Sequence, residues 1–89
     1  MKSSKVLVRW REGLHLRAAV DVVRRSQGFK SNILLKLGGK VADAKSILSV
    51  LILCATMGSL LDVEAAGPDE REAVRAIETL FAADDLAGN

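Results

Sequence analysis

SNILLKLGGKVADAKS, residues 31–46, is the stretch whose reading decides the fold. Residues 31–37 alternate, with Ile33, Leu35 and Leu37 pointing one way, as a half-buried strand requires. Gly38-Gly39 follows, and two residues free to adopt positive φ suit a tight hairpin. A short returning strand is predicted over 40–43. Ser46 then looks like an N-cap, opening a short helix through about Leu53 that Met57-Gly58 breaks. A hairpin feeding a helix in so few residues points to mixed, antiparallel architecture.

Upstream, KVLVRW (5–10) alternates and reads as a strand with Val6, Val8 and Trp10 on one face. REG turns the chain, and residues 16–27 carry a helical pattern. Ala19, Val22, Val23 and Ser26 fall on one stripe and Arg17, Asp21 and Arg24 on the other, with Gly28 as the C-cap. Downstream, residues 59–66 make another strand, Leu61, Val63 and Ala65 inward and Asp62 and Glu64 outward. Pro68 precedes Asp69, and Glu72 three residues on predicts a capping box. Ala73, Val74, Ile77, Leu80 and Phe81 trace the stripe of the last helix, and DDLAGN (84–89) is expected to fray. The order β-α-β-β-α-β-α implies an α+β domain, helices covering one face of a largely antiparallel sheet.

Composition bounds the rest. At 89 residues, 49% of them hydrophobic, one domain spanning 1–89 is expected. The longest apolar run, ILSVLILCA at 47–55, falls far short of the ~18 residues of a membrane span. MKSSKVLVRW lacks the apolar core of a secretion signal, so a cytoplasmic location is expected. Cys54 stands alone between Leu53 and Ala55 and reads as a buried, inert thiol of a reducing compartment. Charge is segregated: residues 1–45 hold eleven Lys/Arg against three acids (+8), and residues 46–89 hold two Arg against eight acids (−6). A basic region suits acidic partners or a phosphoryl group. Nucleic acid fits poorly, because only three Phe/Trp exist in the chain, too few to interleave generally with eleven basic residues.

The one histidine, His15, lies between a Gly-containing turn and the first turn of a helix, in EGLHLRAA (12–19). The N–H groups of Leu16 and Arg17 have no intrahelical acceptor there, and such a terminus favours anions. A phosphoryl group attached to the ring would meet those donors and the Arg17 guanidinium, which is the positioning and charge stabilisation that phosphoryl transfer needs. Capping the helix is the simpler role for such a ring. With no second His and no paired Cys, neither a metal site nor a cofactor is expected. No nucleophile occupies a recognisable turn motif, so chemistry by the ring itself fits best.

GLHLRAA resembles the phosphohistidine motif of the HPr family, usually written GLHARPA, and residues 42–77 resemble the same family's second half. The resemblance covers residues 3–83 and puts His15 and Ser46 where both motifs require them. It implies an open-faced β-sandwich, with a four-stranded antiparallel sheet in order 1-4-2-3 under three helices. It also implies a stoichiometric phosphocarrier of the phosphoenolpyruvate-dependent phosphotransferase system rather than a turnover enzyme. His15 would take a phosphoryl group from enzyme I on Nδ1 and pass it to an enzyme IIA domain, with Arg17 and the Leu16 N–H stabilising it. Ser46, a helix cap, would double as the target of an HPr kinase/phosphorylase in some members, and transcriptional regulators would then join the partners. Leu16 replaces the usual Ala and Ala18 the usual Pro, changes expected to retune partner choice and loosen the pocket slightly. GPDEREA (67–73) is similar to nitrogen-related paralogues, so a regulatory role without sugar transport is the alternative.

The helix over 47–53 is apolar nearly all round, and a short helix on a sheet buries only one side. The resemblance places Ile47, Leu48 and Leu51 exposed beside His15. With Leu16 and Val20 they would form an apolar centre ringed by Arg17, Arg24 and Gln27, a docking surface for a transient, monomeric carrier.

Overall fold

In the computed structural model, residues 1–83 are described, and they form β1 (Lys2–Leu7), α1 (Leu16–Gln27), β2 (Asn32–Leu37), β3 (Lys40–Asp43), α2 (Ile47–Leu53), β4 (Leu60–Ala66) and α3 (Glu70–Ala82). The expected fraying of DDLAGN lies outside the described residues. The strands make one antiparallel sheet in the order β1-β4-β2-β3, with Leu35 opposite both Ala42 of β3 and Val63 of β4. Element order and strand order are those expected. In the β2–β3 hairpin Gly38 alone takes positive φ, +60°. That is the pattern of a type II′ turn, so only the first glycine needs its freedom.

One face of the sheet is the core. Ile33, Leu35, Leu61, Val63 and Ala65 are buried against Ala19 and Val22 of α1, Val50 and Leu53 of α2, and Ile77 and Phe81 of α3. The opposite face carries cross-strand ion pairs, Lys5–Asp62 at 2.6 Å, exposed, and Lys36–Glu64 at 2.9 Å, half-buried. Each contributes at most about 1 kcal/mol, so burial on the helix side holds the fold together.

Four local readings need correction. The first strand runs Lys2–Leu7, not 5–10. Val8 leaves the ladder but exchanges backbone bonds with Ser59 and Gly58, and Trp10 packs its ring 5.0 Å from Phe81 and donates Nε1–H to Ala83 O. The alternation through Trp10 therefore records burial, not pairing. Second, α2 ends at Leu53 as expected, but what breaks it is Cys54, in the left-handed region at φ +54°, not Met57-Gly58. Third, Cys54 is exposed rather than buried. The helix turns Val50 and Leu53 to the core, and the left-handed cap leaves the next side chain at the surface. Fourth, no Asp69–Glu72 capping box forms. The Asp69 carboxylate turns away and accepts the N–H groups of Lys30 and Ser31, both at 2.9 Å, and the Ser31 hydroxyl. Glu70 takes over locally by accepting the Gly67 N–H at 3.1 Å.

Candidate functional site

Gly13, Leu14 and His15 enter α1 through a loop that is clamped at each residue. Gly13 sits at φ +72°, and a Cβ there would lie 2.5 Å from Ala55 O, so only glycine fits both the backbone and the space. The Leu14 N–H donates to the same Ala55 O at 2.9 Å, and its side chain plugs into the core. The chain segment after α2 thus holds the segment before α1, and the next residue, His15, is delivered to the surface at a fixed height.

His15 is the N-cap of α1, in extended conformation (φ −79°, ψ −175°). Its carbonyl accepts the Ala19 N–H at 2.8 Å, the first turn of the helix. Its Nδ1 accepts the Arg17 N–H at 3.2 Å, in the manner of a capping side-chain oxygen. Nδ1 therefore carries a lone pair aimed at the helix terminus, and a neutral ring has its proton on Nε2. The ring is 31% exposed. Capping and access to solvent coexist, because the cap bond uses one nitrogen edge and leaves part of the ring open to water. Glu12 brings Oε1 to 3.4 Å of Nε2. Sequence reasoning passed over Glu12; an acid three residues before the only histidine was the available signal.

Along α1, Leu16, Val20, Arg24 and Gln27 follow one another at spacings of four, four and three, a single stripe. Leu16 is 60% exposed, Val20 half-buried, Arg24 and Gln27 exposed. Arg17 is exposed beside them. α1 packs alongside α2. Gln27 Nε2 reaches Lys45 O at 3.4 Å at one end of the pair, and Leu14 meets Ala55 at the other, so the two helices run antiparallel.

On α2, Leu48 is 64% exposed and Ile47 is exposed, while Leu51 is half-buried against the core, a correction to its expected exposure. Leu51 lies a turn beyond Ile47, on the flank that leans toward the core. Ile52 and Met57 are exposed too and were not picked out as surface residues; Ile52 follows Leu48 at i+4 and shares its outward stripe. Ser46 caps α2 as expected, its hydroxyl accepting the Ser49 N–H at 3.3 Å. It lies at the Gln27 end, so the seven residues of α2, roughly 10 Å of helix, separate it from the His15 end. Among the described residues no group of His, Cys, Asp and Glu is placed to hold a metal ion, and no helix is long and apolar enough to cross a membrane.

Comparison with known proteins agrees with this geometry. Residues 2–83 match the family model described as the PTS HPr component phosphorylation site. The phosphocarrier protein HPr of Cupriavidus necator is 40% identical over 70 residues, 79% of each chain. The phosphocarrier protein NPr of Escherichia coli K12 is 39% identical over 70 residues, 78% of each. A crystal structure of HPr-C-His from Thermoanaerobacter tengcongensis superposes with a TM-score of 0.88 at 32% identity, covering 91% of both chains. A motif match along nearly the whole described chain, with the same sheet order beneath it, places this protein in the HPr family of phosphocarriers of the phosphotransferase system.

Proposed function

We propose that the chain carries a phosphoryl group on Nδ1 of His15, accepting it from enzyme I and delivering it to an enzyme IIA domain. The observation that carries this reading is the Arg17 N–H donated to Nδ1. Attack on phosphorus by the Nδ1 lone pair, with the bond to the donor breaking, replaces that acceptor by phosphate oxygens at the same helix terminus. The N–H groups of the first helical turn, which have no intrahelical acceptor, and the helix dipole stabilise the new negative charge there. The Arg17 side chain adds a guanidinium from the first turn. Nε2 is the poorer site, since an incoming phosphoryl group would meet the Glu12 carboxylate.

Leu16, Val20, Ile47, Leu48 and Leu51 would serve as the apolar centre of the docking face, with Arg17, Arg24 and Gln27 around it. Such a surface suits brief encounters, in which charge sets the on-rate and a small apolar patch sets the register. Phosphoenolpyruvate and enzyme I are expected to put acid-labile label on the wild type and none on His15→Ala. Label retained by the variant overturns the reading.

The relative named phosphocarrier protein NPr, at 39% identity, supports the alternative reading, signalling by phosphorylation state without sugar uptake. Transfer of label to a sugar-specific or a nitrogen-type enzyme IIA domain separates the two. Ser46 is the proposed regulatory acceptor, with its hydroxyl capping the start of α2. A phosphate there would repel an acidic partner. Absence of phosphoserine after incubation with host lysate and ATP counts against that role.

A further inference from the structure

Among the described residues, a donor, the Arg17 N–H, lies 3.2 Å from Nδ1 of His15, and a carboxylate oxygen, Glu12 Oε1, lies at ion-pair distance, 3.4 Å, from Nε2. A neutral imidazole has one N–H and one lone pair, and this arrangement fits them in one order only. We propose that Glu12 is a positioning residue for phosphoryl transfer: its carboxylate keeps the ring proton on Nε2 and so keeps the nucleophilic lone pair on Nδ1. The proposal rests on the reading of His15 as phosphoryl acceptor and adds the residue that selects which nitrogen reacts.

The step balances without moving a proton. The Nδ1 pair forms the new N–P bond while the donor's bond to phosphorus breaks and its electron pair leaves with the donor. The ring, still carrying hydrogen on Nε2, becomes cationic, and that positive charge lies against the Glu12 carboxylate. On delivery the N–P bond breaks, its pair returns to Nδ1, and the ring leaves as the neutral Nε2–H form it started from. An acid that orients an imidazole and stabilises its cationic form does the same service in hydrolytic triads. Glu12 precedes α1 and its side chain is 75% exposed, so its effect is modest and weakened by salt.

The test compares wild type, Glu12→Gln, which keeps the shape and removes the charge, and Glu12→Ala, all labelled with 15N. Long-range proton–nitrogen spectra of the neutral ring report where the proton resides. The wild type is expected to show one clear Nε2–H form, and both variants are expected to move the two nitrogen shifts toward each other. The fraction phosphorylated at equilibrium with enzyme I and phosphoenolpyruvate should fall about two- to fivefold in both variants, a gap that closes as salt rises. Nitrogen shifts identical in all three proteins would overturn the role of Glu12 while leaving the carrier reading intact. Failure of the wild type to take label overturns the carrier reading instead, and the nitrogen shifts still decide the position of the proton.

Discussion

At position 15 the backbone and the side chain do separate jobs. The carbonyl starts α1, the ring caps it, and the loop behind is held to residues 55 and 56 by Gly13 and Leu14. Gly13→Ala is therefore expected to cost on the order of 2 kcal/mol, since alanine is strained at φ +72° and its Cβ meets Ala55 O. Denaturant titration measures this, and transfer by the folded fraction should drop as well, because the loop sets the height of His15. Ser26 gives the opposite sign. Its hydroxyl is buried on α1 with no hydrogen-bond partner among the described residues. Ser26→Ala removes an uncompensated polar group and is expected to raise stability by about 1 kcal/mol, seen as a higher Tm.

At the scale of elements, one carboxylate joins two connections. Asp69, before α3, holds the Lys30–Ser31 segment that leads into β2, and the Ser31 hydroxyl, the Lys30 N–H and the Ser31 N–H pull its pKa from 3.8 down to about 2. A folded-state pKa below the unfolded one adds stability that is complete above about pH 4 and fades as pH falls toward 2. Asp69→Asn should accordingly be less stable than wild type near neutrality, with the gap narrowing in denaturant titrations at progressively lower pH. A constant gap would mean that the carboxylate's charge is not what matters. The same residue shows where the sequence misleads. Asp69 and Glu72 have capping-box spacing, but spacing cannot reveal that a loop from elsewhere offers three donors to the carboxylate. Helix stripes, strand faces and the hairpin were legible because burial has a period. The end of α2 at Leu53 was legible but its cause was not, because Cys54 adopts the left-handed conformation usually left to glycine or asparagine. His15 and Ser46 were legible as caps at helix starts, whereas Glu12 was not, since its meaning depends on which ring edge it faces.

Across the whole molecule, the fold sorts charge and greasiness by place. The first 45 residues carry the positive excess, and Arg17, Arg24 and Arg25 all lie on α1, which also exposes Leu16 and packs alongside α2 with its exposed Leu48. If this face meets acidic partners, Arg24→Glu should slow association by about tenfold at low salt and much less at high salt. Stopped-flow mixing with enzyme I at two salt concentrations measures it. Leu48→Asp should instead weaken binding at every salt concentration if the proposed docking face is used, because it removes an exposed apolar side chain from it. The central claim is most directly tested by phosphorylating 15N-labelled protein with enzyme I and phosphoenolpyruvate and finding which nitrogen couples to phosphorus. Coupling to Nδ1 of His15 is the predicted result; phosphorus on Nε2, on a serine, or on no residue of this chain would contradict it.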